Sequence, residues 1–279
     1  MPVSLLGAAE IRRLAADLDV TPTKKLGQNF VVDANTVRKI VQAARVTASD
    51  RVVEIGPGLG SLTLAILETG ASVVAVEIDH RLAERLPATA AAHDVPEGRL
   101  TVIDADALRV DALPGEPEVL VANLPYNVSV PVLLHFLETF PYLRRGVVMV
   151  QAEVGERLAA PPGSKVYGAP SVKAAWYGSW RLAGTVSRQV FWPVPNVDSV
   201  LVAFDRDADP RGTEERRLRT FQIVDAAFQQ RRKMLRQALA GVLGGTAAEA
   251  SARLEAAGVD PTLRGEQLTV EDYARIAAV

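Results

Sequence analysis

The chain has no cysteine. That excludes disulfides, thiolate metal sites, iron–sulfur clusters and cysteine nucleophiles at once. Histidine is scarce as well. His80, His93 and His135 stand far apart without ligand spacing, so no metal is expected. No apolar run approaches the ~20 residues needed to cross a bilayer. Residues 1–19 read as an amphipathic pattern with acidic members, not as a signal peptide. Net charge is also low, −2 over 279 residues, which at first argues against a polyanionic partner. The average hides a split. From Arg211 to Arg236 eight basic residues stand against three acidic ones, a local +5 that leaves about −7 elsewhere. Such an uneven distribution fits a polyanion-binding face on an acidic protein.

What is present is ordinary for a globular chain: 48% hydrophobic and 23% charged residues, enough for one large or two modest domains. Ser4–Asp17 has helical spacing, Pro22 opens a polar loop through Phe30, and Asp33 starts a second helix to Ala44. From Arg51 strands and helices alternate. The strands are expected at Arg51–Ile55, Ser72–Ile78, Leu100–Asp104, Val119–Asn123 and Gly146–Gln151. Continuous apolar strands separated by amphipathic helices imply an α/β fold, a parallel sheet covered on both faces. Gly184–Trp192 and Val197–Asp205, flanking the turn 193–196, are expected as an antiparallel pair at the sheet edge. After Asp205 only helical patterns follow, near Glu214–Gln230, Arg232–Val242, Ala247–Ala257 and Val270–Ala277. The expected division is 1–50 as N-terminal helices and covering loop, 51–207 as the main α/β part, and 208–279 as a helical C-terminal domain.

Three strand ends carry chemistry. Val52-Val53-Glu54-Ile55-Gly56-Pro57-Gly58-Leu59-Gly60 runs a strand into a glycine turn, where the backbone can meet a ligand. Its G-x-G-x-G spacing differs from the G-x-G-x-x-G of dinucleotide folds. Glu77, closing the next strand, suits ribose hydroxyls, and Asp106, just past the third, suits an adenine amino group. Together they outline an adenosine-shaped site that NAD or S-adenosylmethionine could fill. The looser glycine turn, Asp106 and a fourth strand end, Asn123-Leu124-Pro125-Tyr126, favour S-adenosylmethionine. Asn123 offers a side-chain acceptor for an exocyclic amine. Pro125 biases Leu124 toward an extended conformation that leaves its carbonyl available. Tyr126 offers a stacking plate.

Lys25-Leu26-Gly27-Gln28-Asn29-Phe30, Glu54 to Gly60, Asn123 to Asn127, Phe191-Trp192-Pro193-Val194-Pro195-Asn196-Val197-Asp198-Ser199 and Phe228-Gln229-Gln230-Arg231-Arg232-Lys233 occur in that order. The set resembles the KsgA/RsmA family of 16S ribosomal RNA adenine dimethyltransferases, from about residue 21 to the C-terminus. The resemblance implies a class I (Rossmann-like) S-adenosylmethionine-dependent methyltransferase domain with a small helical C-terminal domain. It implies N6,N6-dimethylation of two adjacent adenosines near the 3′ end of 16S rRNA, in a partly assembled 30S subunit. Carried over by position, Gln28, Asn29, Val31, Gly56, Gly58, Glu77, Asp106 and Asn123 are expected at the cofactor. Asn123 and the Leu124 carbonyl are expected to hold the target amine, with Tyr126 and Phe191 stacking on the flipped base. Arg231, Arg232 and Lys233 are expected on RNA phosphates. The protein is expected to be a cytoplasmic monomer without metal or membrane.

Adenine N6 needs positioning more than activation, and no covalent intermediate is required, which agrees with the missing cysteine. Cytosine-C5 chemistry, which needs a thiolate, is excluded. Two alternatives stay open: a resistance-type 23S rRNA adenine methyltransferase, which shares the Asn-[Leu/Ile]-Pro-Tyr corner, and an assembly factor whose catalysis is incidental.

Overall fold

The computed structural model describes residues 2–20, 29–125 and 128–279. In chain order the elements are α1 (Ala8–Asp17), β1 (Phe30–Val31), α2 (Ala34–Ala43), β2 (Arg51–Ile55), α3 (Ser61–Glu68), β3 (Ser72–Glu77), α4 (His80–Ala92) and β4 (Leu100–Asp104). They continue with β5 (Val119–Asn123), α5 (Ser129–Thr139), β6 (Arg145–Gln151), α6 (Ala152–Leu158), α7 (Ala169–Ala175), β7 (Gly178–Val186), β8 (Phe191–Trp192) and β9 (Ser199–Arg206). Helices α8 (Glu214–Gln229), α9 (Leu235–Ala238), α10 (Ala247–Ala256) and α11 (Val270–Ile276) complete the chain.

The main sheet has the order β4-β3-β2-β5-β6-β9-β7. Strands β2 to β6 are parallel, and β9 runs antiparallel to β6. Val52, Val53, Val119, Leu120, Val147 and Val148 are buried, as strands covered on both faces require. The chain leaves β2 toward β3 and β4, then crosses back to β5. The order therefore reverses between β2 and β5, where α/β sheets open a crevice at their carboxyl ends. Register pairs Ile55 with Ala122, so the glycine turn and the Asn123 corner emerge side by side.

Two compact units result: 1–155 with 181–206, and 156–180 with 207–279. Glu156–Trp180, inside the stretch read as the catalytic domain, thus belongs with the second unit. In the first unit, Ile11, Leu14 and Ala15 of α1 pack with Leu59, Leu64 and Leu82 into a cluster that includes Phe30. In the second, Leu235, Leu239, Leu254 and Tyr273 are buried, and the Tyr273 hydroxyl donates to Gly265 C=O at 2.9 Å.

Two expected elements come out differently. Gly184–Trp192 is not one strand: β7 ends at Val186, a 3₁₀ turn spans Arg188–Val190, and β8 leaves the main sheet to pair with β1. Its partner is distant in sequence, so local pattern could not announce it. Arg232–Val242 is not one helix either. Residues 231–233 form a turn after α8, and helix resumes only at Leu235.

Candidate active site

A cavity of about 260 Å³ opens at the carboxyl ends of β2, β3, β4 and β5. The glycine turn after β2 forms its floor. Gly56 and Gly58 have φ of +67° and +59°, backbone that L side chains rarely adopt. A Cβ on Gly58 would also lie 3.0 Å from the Phe30 ring. The turn is held from β3: the Gly58 N–H donates to Glu77 Oε2 at 3.0 Å, and the Asp79 N–H donates to Oε1 at 3.0 Å. Glu77 is buried, and burial raises its carboxyl pKa while these backbone donors oppose the shift. Glu77 therefore both faces the cavity and braces its floor. Each oxygen keeps a further lone pair for a ribose hydroxyl. Asp106 lines the cavity after β4, its Oδ1 accepting from the Leu108 N–H at 2.9 Å. Ile78 and Leu108 line it too, although 57% and 39% exposed, and so present apolar surface to a flat ring.

Asn123 ends β5 at the cavity. Its Nδ2 donates to the main-chain carbonyl of Asn29 at 3.1 Å, which leaves Oδ1 as the acceptor half of the amide. The Leu124 N–H is bound by Met149 C=O at 3.1 Å, an extension of the β5–β6 ladder. Asn29 and Val31 also reach the cavity. The two-residue pairing of β1 with β8 sets what lies where: Val31 stands opposite Phe191, and Phe30 opposite Trp192. Opposed residues share a face of the ribbon. Phe30 stacks on Trp192, centroids 6.2 Å apart and planes at 25°, on the cavity side.

Phe191 takes the other face. It is 2% exposed in the core cluster with Val31 and Leu201, and it does not line the cavity. Strand pairing with β1 thus buries the aromatic expected to stack on the base beside Val31, whose own surface reaches the cavity. Gln28 and Tyr126 lie outside the described residues.

Glu54 is the residue that reading the sequence missed. It is 1% exposed within β2, lines the cavity, and its Oε2 has no hydrogen-bond partner. Burial pushes its carboxyl up to about 8, with the neighbouring Thr63 hydroxyl opposing and the charge of Glu77 adding. Ser61 Oγ, also at the cavity, is buried without a partner. The available signal was a carboxylate inside an otherwise apolar strand, since an ionisable group rarely enters such a run without a use.

In the second unit the basic triplet divides. The Arg231 Nε meets Glu266 Oε2 at 2.7 Å, and its Nη2 donates to Lys165 C=O at 2.6 Å. Arg232 and Lys233 are exposed on the turn, without a side-chain partner among the described residues. Much of the local +5 is likewise engaged internally: Arg211 with Asp207 at 2.8 Å, Arg217 with Glu214 at 2.8 Å, and Arg216 on Ala274 C=O at 2.9 Å. The triplet expected on RNA phosphates thus sits on a short turn and not within a helix.

The donor set fits S-adenosylmethionine. Glu54 and Glu77 are buried carboxyls, Ser61 a free hydroxyl, the glycine turn an open backbone, and Ile78 and Leu108 an apolar slot. A doubly wound parallel sheet with this site at its switch point defines a class I S-adenosylmethionine-dependent methyltransferase. The family model for ribosomal RNA adenine dimethylase matches residues 21–279, and the chain belongs to that family. The ribosomal RNA small subunit methyltransferase A of Leifsonia xyli subsp. xyli is 70% identical over 276 residues, 98% of each chain. Its counterpart from Streptomyces avermitilis is 60% identical over 279 residues, 99% of this chain and 94% of that one. A dimethyladenosine transferase from Plasmodium falciparum shares the fold at a TM-score of 0.76 and 24% identity, over 88% of this chain and 94% of that one. The 23S rRNA methyltransferase ErmE aligns at a TM-score of 0.67 and 26% identity, over 90% of this chain and 98% of the other.

Proposed function

We propose that the chain transfers two methyl groups to N6 of each of two adjacent adenosines near the 3′ end of 16S rRNA, during maturation of the small ribosomal subunit. The observation that carries the chemistry is Asn123. It stands at the cavity on the strand next to the glycine turn, with Nδ2 bound to Asn29 and Oδ1 left to accept from an amine. The small-subunit substrate is supported by relatives 60–70% identical that carry that name, whereas ErmE, at 26%, shares the fold and a related reaction.

S-adenosylmethionine supplies the electrophilic methyl when bound. Glu77 would accept from the ribose and Asp106 from the adenine amine, with Gly56 and Gly58 letting the backbone approach and Gln28, Asn29 and Val31 closing over the ligand. Glu54 would face the ammonium of the methionine moiety, the charge best able to ionise a buried carboxyl. Asn123 Oδ1 and the Leu124 carbonyl would orient the target amine and stabilise the positive charge that grows on it. Tyr126 would supply a stacking face for the flipped base. Mass spectrometry of 16S rRNA, incubated as a partly assembled 30S particle with labelled cofactor, tests this. N6,N6-dimethyladenosine in the small-subunit RNA supports the reading, and methylation confined to 23S rRNA sinks it.

Arg232 and Lys233 would contact RNA phosphates, on a protein that works as a cytoplasmic monomer without metal. Arg231 instead braces the turn through Glu266 and Lys165. Replacing Arg232 and Lys233 together by glutamine should leave cofactor binding intact and weaken RNA binding. The slope of log K against log salt should become shallower by ~0.7–0.9 for each phosphate no longer neutralised. An unchanged slope across a salt series would reduce the turn to solvated charge. With so small a free basic face, the pre-shaped 30S particle should be a better substrate than naked RNA.

A further inference from the structure

Asn123 and Asn29 are 94 residues apart, yet they meet in one hydrogen bond, Nδ2 to main-chain oxygen at 3.1 Å. The carbonyl at 29 belongs to an anchored stretch. The next residue pairs with Trp192 and stacks on it, Val31 pairs with Phe191, and the Val32 N–H donates to Val190 C=O at 2.8 Å. A carboxamide has two ends of nearly the same shape and opposite hydrogen-bonding sense. Turned over, Asn123 would present N–H to the incoming amine, donor against donor. A main-chain carbonyl can only accept, so it admits one orientation.

We infer that the main-chain carbonyl of Asn29 is a positioning group for methyl transfer: it locks the Asn123 amide with Oδ1 toward the target amine. The bond also polarises the amide and makes Oδ1 a better acceptor for developing positive charge. It accounts for asparagine at 123 where aspartate would offer acceptors just as well. An ionised aspartate would set one oxygen against the Asn29 carbonyl, acceptor to acceptor. A protonated one would restore a donor there.

The inference rests on the reading of Asn123 as the amine acceptor, so Asn123→Asp and Asn123→Ala are compared with wild type. Turnover at saturating S-adenosylmethionine on 30S particles is followed from pH 6 to 9, alongside the thermal midpoint of the cofactor-free proteins. Glu54, Glu77 and Asp106 line the same cavity from β2, β3 and the loop after β4, and the wild-type and alanine series subtract their titration. At pH 8 Asn123→Asp should be as slow as Asn123→Ala, on the order of 10²-fold or more below wild type, although it keeps an acceptor. As pH falls, its turnover and its thermal midpoint relative to wild type should both rise, while Asn123→Ala shows neither trend. The sign follows from a carboxyl whose proton is held more tightly in the folded state: the stabilisation is present at low pH and lost as pH rises. An Asn123→Asp enzyme near wild-type speed at pH 8, or pH curves parallel to wild type, would overturn the inference while a slow Asn123→Ala left the acceptor reading standing. Wild-type turnover by Asn123→Ala would overturn both.

Discussion

Asn123→Ala should lower kcat by on the order of 10²–10³ while affinity for S-adenosylhomocysteine stays within about three-fold. Asn123 ends β5 beside the glycine turn, and its Nδ2 is already bound to Asn29. What the substitution removes toward the substrate is therefore one acceptor, Oδ1. That acceptor matters most as the amine turns cationic, so the loss falls on the transition state rather than on the ground state. Steady-state kinetics on 30S particles and calorimetric titration of the cofactor product measure the two quantities independently. If cofactor affinity falls as steeply as turnover, Asn123 is part of the cofactor's wall and not a positioning group. Removing the tie to Asn29 contributes to any small drop in affinity, because Asn29 lines the same cavity.

Raising the pH from 5 to 8 should destabilise the cofactor-free protein, and Glu54→Gln should flatten that dependence. The buried Glu54 carboxyl is held up to about 8, against 4.5 for an ordinary glutamate. Between those values the folded state keeps a proton that the unfolded chain gives up. Its stabilisation is complete below the unfolded value and disappears as pH rises through the folded one. The difference across the window is on the order of 4 kcal/mol. Denaturant titrations of both proteins at several pH values measure it, and curves of equal slope would mean that Glu54 is already ionised in the empty site. Bound S-adenosylmethionine should shrink the effect in wild type, because its ammonium compensates the carboxylate.

Much of the scaffold was legible because burial on both faces writes itself into a strand as an unbroken apolar run. Arg51–Ile55 and Val119–Asn123 were expected with the bounds they have, and so was Leu100–Asp104, although that strand lies at the sheet edge and is only partly covered. Glycines at 56 and 58 announced a turn, since left-handed backbone narrows the choice of residue to nearly one. Glu77, Asp106 and Asn123 were legible as polar residues where apolar runs stop.

The remaining features depend on partners far away along the chain. Phe191 followed by prolines looks like a loop aromatic, and only pairing with Phe30–Val31 buries it. Arg231 looks like its neighbours Arg232 and Lys233 until Glu266 and Lys165 claim its guanidinium. Glu54 is one more letter in an apolar strand until the sheet seals over it and leaves Oε2 without a donor. The sequence alone therefore determined the parallel sheet, the cofactor turn and the chemical types gathered at its edge, because local pattern records whether a position is covered. Tertiary structure alone decided which side chains turn inward, which charges remain free and how the Asn123 amide faces. Those depend on the atom opposite, which stands 94 residues away for Asn123 and far further along the chain for Phe191.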